Sequence, residues 1–510
     1  MDTTPFWINS AELPHFLPLT ENLHVDVLVV GGGITGITAA YLLKKAGKTV
    51  ALVEREELAV RDTGHTTAHV THVTDLRLSE LVNQLGRDHA QAFWDANAAA
   101  MEQIAQNVCA ERIDCELRRV PGYLHAAIGG NADRERESLQ EDAHLAQEFG
   151  FDAGYLDSIT ILPLPGVRFA NQLLFHPRKY LAGLVAQIPG EGSHVYEKAP
   201  VDKFLESPRR AVVNGREISF THLVLATHYP LQGYVDAARN TLFQTKLAPY
   251  STYAIGVRLP LGTLPEAAFW DTSDPYYYLR VDRRDGDDYV IFGGCDHKTG
   301  QESDTDEPFR QLFETLRSFA PQAVIADRWT GQVIETPDGL PFIGEITEGQ
   351  FISTGYSGNG TTLGTLGGMM ARDWVLGVSN PWQELFAPER KKAAGAWDYV
   401  KENKDYPYYM VKDRLKRSEG HTLSEVANGE GKLLRINGEK LAVYRDEAGK
   451  VSASSATCPH LGCIVGWNQA ERSWDCPCHG SRFHPTGEVF AGPAEAPLSP
   501  RGISAGVENA

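Results

Sequence analysis

Two thiols and two imidazoles recur near the C-terminus in an order that few metal centres use. Cys458-Pro459-His460 and Cys476-Pro477-Cys478-His479 each supply a Cys and a His, and Cys463 lies beside them. Two thiolates can hold one iron of a [2Fe–2S] cluster and two neutral imidazoles the other. Exchanging thiolates for imidazoles removes negative charge, which puts the reduction potential at roughly −150 to +300 mV. Zinc also takes Cys and His, but these six candidates would compete for the four positions of a tetrahedral site. Gly480-Ser481 adds a backbone turn and a hydroxyl that can donate hydrogen bonds to bridging sulfides.

A second constellation lies near the N-terminus. An apolar run from Val25 to Val30 leads into Gly31-Gly32-Gly33-Ile34-Thr35-Gly36, an Ala/Leu-rich helical stretch follows to about Lys45, and Thr49 to Val53 ends on Glu54. That is a strand–helix–strand unit for a dinucleotide. Gly31 makes the tight turn, Gly33 lets backbone approach a pyrophosphate at the helix N-terminus, Gly36 permits close helix packing, and Glu54 can take the ribose hydroxyls.

Both ends resemble known families. The Cys458 to Ser481 segment resembles the Rieske proteins of cytochrome bc and related complexes. The resemblance implies Cys458, His460, Cys476 and His479 as ligands, a Cys463–Cys478 disulfide clipping the two loops, and both imidazoles at an exposed tip. High-potential members place a Tyr two residues after the Ser; Phe483 stands here, which implies a potential below the top of the range. Residues 1 to about 400 resemble the D-amino-acid oxidase and glycine oxidase family of flavoproteins. His222-Leu223-Val224-Leu225-Ala226-Thr227, Thr336 to Gly344 and Ser353 to Thr362 carry that resemblance. It implies FAD, contacted by Thr66, Thr67, Val201, Ala226, Thr227, Gly355, Gly358, Gly360, Thr361 and Thr362. A Gly-rich turn opening a helix near Thr362 would aim N–H groups at the flavin pyrimidine. Bacterial proteins that fuse such a flavoprotein to a Rieske domain are similar over the whole chain, including Thr63-Gly64-His65-Thr66-Thr67-Ala68.

These elements predict an α/β FAD-binding Rossmann-like domain with an inserted α+β substrate domain, and a C-terminal all-β Rieske domain. The expected boundaries are 1–85, 161–240 and 326–394 for the FAD-binding domain, 86–160 and 241–325 for the substrate domain, a linker at 395–418, and 419–510 for the Rieske domain. A chain of 510 residues can bury several cores. Its net charge of −18 counts against nucleic acid, which needs a basic face. Met1 to Pro18 lacks a basic segment followed by an apolar core, and no apolar run is long enough to span a bilayer, so a cytoplasmic location is expected. Cys109, Cys115 and Cys295 read as free thiols.

The reacting groups are harder to read. Amino-acid oxidases of the resembling family clamp the substrate carboxylate with an Arg in a Trp-x-Gly-x-Arg-Pro segment. Here Trp329-Thr330-Gly331-Gln332-Val333 puts Val at that place, and Val cannot make a bidentate clamp. Arg258, Arg280 or Lys298 could supply the charge from another element. His65 either lines the flavin or attaches it covalently, as a His does in related sarcosine and dimethylglycine dehydrogenases. His297 and Tyr276 are further candidates for catalysis; each could equally be a structural hydrogen-bonding group.

The implied function is oxidation of a small amine or amino-acid-like substrate at FAD, with electrons passed singly through the Rieske cluster to an external acceptor, either a protein or a quinone-like molecule. The alternative is an electron-transfer or redox-sensing protein without small-molecule turnover. A Rieske oxygenase is disfavoured, because such enzymes place a mononuclear iron held by two His and a carboxylate after the cluster domain. Here His484 is the sole imidazole beyond His479.

Overall fold

A computed structural model describes residues 3–231, 233, 235, 240, 243–284, 286–390 and 418–502. The expected linker at 395–418 lies outside the described residues except for its last position. Apolar β runs at Leu23–Val30 and Val50–Val53 are buried on both faces, the signature of parallel strands between helical layers. They pair parallel with each other, with Arg216–Leu225 and with His194–Tyr196, and Gln350–Thr354 extends the sheet beyond Arg216–Leu225. Helix Ile34–Lys45 crosses between the first two strands, giving the anticipated dinucleotide unit.

Helix Gly360–Leu376 lies against Ile34–Lys45 because glycines let the backbones approach. A Cβ on Gly364 would stand 2.8 Å from Ile34 Cγ2, and one on Gly368 would stand 2.8 Å from Thr38 Cβ. The start of the second helix is thereby held close to the Gly-rich turn.

A nine-stranded sheet forms the second layer, with Val324–Glu335, Ala248–Pro260, Asp287–Lys298, Tyr278–Arg283, Ala268–Asp271, Arg118–His125, Gly166–Leu174 and His69–Val70 in that order, and Ala153–Leu156 pairing off Gly166–Leu174. It reaches further than the expected substrate-domain boundaries. Gly166–Leu174 pairs antiparallel with Arg118–His125, and Val324–Glu335 pairs along almost the whole of Ala248–Pro260. Ladder partners, rather than distance along the chain, put segments from 161–240 and 326–394 into this sheet. Helices Arg87–Glu111 and Ala132–Glu148 lie in the first expected substrate-domain segment.

The C-terminal part is all β. Glu430–Ile436, Glu439–Arg445 and Val451–Ser455 form a three-stranded sheet, and four short strands between Gly466 and Ala491 form another. Its core includes Trp474 and Phe483, both fully buried. No helix among the described residues is long and apolar enough to cross a membrane.

Candidate active site and cluster centre

A cavity of about 1550 Å³ runs from the Gly-rich turn to the face of the nine-stranded sheet. At its first end Gly31 has φ +110°, a conformation that favours glycine, and a Cβ there would collide with the Ala226 carbonyl. Glu54 turns both carboxylate oxygens back to the chain: Gly32 N–H donates to one at 2.7 Å and Glu56 N–H to the other at 2.8 Å. The Thr63 hydroxyl accepts from Ile34 N–H at 3.1 Å, at the first turn of the helix. Gly33, Thr66, Thr67, Val201, Ala226, Thr227, Gly358, Gly360 and Thr361 all line the cavity. A long cleft with this helix N-terminus at one end fits the pyrophosphate and ribose of FAD.

Three expected contacts stand behind the wall. Gly36 packs its helix against the Gly31 carbonyl. Gly355, at φ +76°, makes a turn against Thr336. Thr362 is fully buried, with its hydroxyl bonded to the Thr71 backbone at 3.2 and 3.3 Å. The helix turns its side chain inward, so it holds the 71 loop rather than the cavity.

At the other end the walls are polar and aromatic. Tyr276 donates its hydroxyl to Asp75 at 3.0 Å, and Asp75 also accepts from Gly358 N–H at 2.7 Å. Tyr278 shares a hydrogen bond with Thr252 at 2.7 Å, and Asp296 lies beside them. Burial, with the nearby Asp75 charge adding to it, pushes the Asp296 carboxyl up to about 7 despite its contact with Thr252. Asp296 Oδ1 is buried with no hydrogen-bond partner among the described residues. Val333 lines the same cavity.

None of the three proposed substitute cations lines it. Arg280 is fully buried, pairing with Asp282 at 2.6 Å and with the Ala68 carbonyl at 2.8 Å. Arg258 pairs with Asp287 at 2.7 Å. Lys298 borders a small cleft beside His479 instead.

His65 does line the cavity, with Nδ1 2.6 Å from the Thr330 carbonyl. His297 does not. Successive residues of a strand face opposite ways, so Asp296 faces the cavity while His297 turns behind it, 2.9 Å from the Tyr253 hydroxyl. The side chain that matters in Gly293 to Gly300 is therefore one residue earlier than expected.

In the C-terminal domain two turns face each other. Cys458 N–H donates to the Cys463 carbonyl and Cys476 N–H to the Ser481 carbonyl, both at 2.8 Å. Cys463 and Cys478 form a disulfide that joins the turns. The Cys458 and Cys476 thiols are buried side by side, and hydrogen bonding from Cys476 lowers the pKa of Cys458. The His460 and His479 rings stand 5.0 Å apart, and burial holds both near 4, as neutral imidazoles. His460 Nε2 is buried with no hydrogen-bond partner among the described residues. Two thiols and two neutral imidazoles converging in this way fit a [2Fe–2S] cluster.

Residues 26–374 match the FAD dependent oxidoreductase (DAO) family, and 421–501 match the Rieske [2Fe-2S] domain. The chain belongs to the DAO family. Over 509 residues it is 33% identical to the "Putative Rieske 2Fe-2S iron-sulfur protein YhfW" of Bacillus subtilis (strain 168), covering 97% of this chain and 96% of that one. It is 24% identical to gamma-glutamylputrescine oxidoreductase of Escherichia coli (strain K12) over 377 residues, 71% of this chain and 86% of that one. Glycine oxidase from Geobacillus kaustophilus shares the fold, with a TM-score of 0.58 at 18% identity over 73% of this chain and 100% of that one. This DAO protein is an FAD enzyme carrying a second, iron–sulfur centre.

The sheet of the DAO part and the cluster loops touch directly. The Gln332 amide donates to the Gly480 carbonyl and Gln301 to the Pro477 carbonyl, each at 3.1 Å. Gly300 and Gly480, with φ of +80° and +64°, allow the approach: a Cβ on Gly300 would stand 2.9 Å from the Cys476 carbonyl carbon. His479 is consequently 7% exposed, against the expectation of an open tip, because the Pro249 and Thr299 region covers the loop. His460 stays half-buried. Gln332 was missed in the sequence because only its neighbour Val333 occupied a position with a family role.

Proposed function

We propose that this DAO protein oxidises a small amine lacking an α-carboxylate and delivers the electrons singly to an external one-electron acceptor. When bound, FAD supplies a two-electron acceptor and the Rieske cluster a one-electron carrier. The carrying observation is the charge of the cavity wall: Asp75 and Asp296 face it, while Val333 stands where a carboxylate-binding Arg would be. Among the described residues, no cation is one of the groups that set the ionisation of Asp296. A carboxylate brought into this end would meet like charge, whereas an ammonium group would relieve it.

The residues divide the work. Asp296 and Asp75 hold the ammonium group, the Tyr276 and Tyr278 rings, 5.8 Å apart, pack against the carbon chain, and Thr252 fixes the Tyr278 hydroxyl. Gln332 joins the wall of the cavity to the cluster loop. The relative named gamma-glutamylputrescine oxidoreductase supports an amine, since its name describes an amine derivative.

An anaerobic panel of mono- and diamines set beside α-amino acids, read as loss of the oxidised flavin absorbance, tests this reading. Rapid bleaching by amines and not by glycine or D-alanine supports it. Bleaching by the amino acids alone overturns it, and bleaching by no compound favours the electron-transfer reading.

A further inference from the structure

Phe490 lies on strand Val489–Ala491 of the Rieske domain, yet it lines the FAD cavity together with Glu488, Gly492 and Ala494. One wall of the cofactor cleft is thus built from the Rieske domain. Two arginines of the FAD-binding part meet it there. Arg55 donates to the Phe490 carbonyl at 3.0 Å. The Arg61 guanidinium lies 4.0 Å from the centre of the Phe490 ring, with Nη2 3.0 Å from His484 Nε2 and an ion pair to Glu56.

These contacts fall at one end of the cleft. Arg55 follows Glu54, which accepts from Gly32 N–H, and Arg61 precedes helix Asp62–His65, whose Thr63 hydroxyl meets Ile34 N–H at the Gly-rich turn. On the Rieske side the partner is a two-stranded hairpin. Arg482–Phe483 pairs antiparallel with Val489–Ala491, the Arg482 guanidinium lies 4.8 Å from the centre of the Phe490 ring, and the His484 ring stands edge-on to it at 5.2 Å. The hairpin starts directly after Ser481, whose carbonyl accepts from the ligand Cys476.

We infer that the Rieske hairpin 482–491 is a structural part of the FAD site, clamping its ribose–pyrophosphate end through Arg55 and Arg61. Release of FAD then requires the hairpin to lift from both arginines. Because the hairpin grows out of a cluster-bearing loop, holding FAD and keeping the cluster domain docked favour each other, as any two linked equilibria must.

The test uses the full-length protein loaded with both cofactors. FAD release after dilution is followed by the rise in flavin fluorescence, and the electron paramagnetic resonance signal of the reduced cluster reports whether the Rieske domain is intact. Phe490→Ala with its cluster signal intact should release FAD about tenfold faster, the size expected for a partly desolvated cation–π contact. Release at the wild-type rate with the cluster intact overturns the inference. Should Phe490→Ala lose its cluster, Arg61→Lys decides: it leaves the Rieske domain unaltered and keeps the charge, but loses the planar group that stacks on Phe490. Faster release from that variant supports the clamp, and unchanged release overturns it.

Discussion

Gln332 donates its side-chain amide to the Gly480 carbonyl at 3.1 Å, one residue beyond His479, a proposed cluster ligand, while its neighbour Val333 lines the FAD cavity. One strand of the large sheet therefore borders both redox sites. Gln332 also donates to the Thr299 hydroxyl at 3.1 Å, beneath the same loop.

Replacing Gln332 by Leu keeps the bulk and removes the donor. The Gly480 carbonyl is then left without its bond, at a cost of about 1–3 kcal/mol to the docked arrangement. Flavin reduction by substrate should continue at the wild-type rate, and cluster reduction should slow by roughly tenfold, the equivalent of about 1.4 kcal/mol. Stopped-flow absorbance at flavin and cluster wavelengths separates the two steps.

Asp296 predicts how cation binding follows pH. Its carboxyl titrates near 7, so it is mostly neutral at acid pH and mostly charged above neutrality. Tetramethylammonium neither titrates nor reacts, so its Kd reports the charge of Asp75 and Asp296, of which Asp296 titrates near 7. That Kd should fall by about tenfold between pH 6 and pH 8, following the ionised fraction. Asp296→Asn should bind weakly and without pH dependence.

The same group carries a stability consequence. A carboxyl whose pKa is raised on folding leaves stability intact below its ordinary range and costs stability as pH rises towards 7. Asp296→Asn should accordingly raise the Tm at pH 8 and leave it nearly unchanged at pH 4.

Cys463 and Cys478 close a loop of 15 residues between the ligand turns. On a chain-entropy estimate such a link contributes about 3 kcal/mol. The double Ser variant should lose its cluster absorbance at a lower guanidinium concentration, with the flavin transition shifted less.

The dinucleotide unit was legible because each of its requirements leaves a residue-type mark: β-apolar runs, glycines at three fixed places, and an acid closing the second strand. The cluster was legible for the same reason, since few ligand sets combine Cys-x-His with Cys-x-x-His. The substrate end was not. Asp75 and Asp296 are separated by most of the DAO part in sequence and meet only through the nine-stranded sheet, and strand alternation decided between Asp296 and its neighbour His297. The interface was also hidden, because nothing in the types of Phe490, Arg61 or Gln332 says that they face another domain.

Proposed electron passage from the FAD site through the cluster to the acceptor is tested most directly by Cys458→Ser. Cys458 is a thiol of the cluster centre and does not line the FAD cavity. In anaerobic stopped flow with an amine that bleaches the wild-type flavin, followed by a one-electron acceptor specific for the cluster, the variant should still bleach and should fail to reduce the acceptor. Acceptor reduction at the wild-type rate in a variant without a cluster would contradict the account.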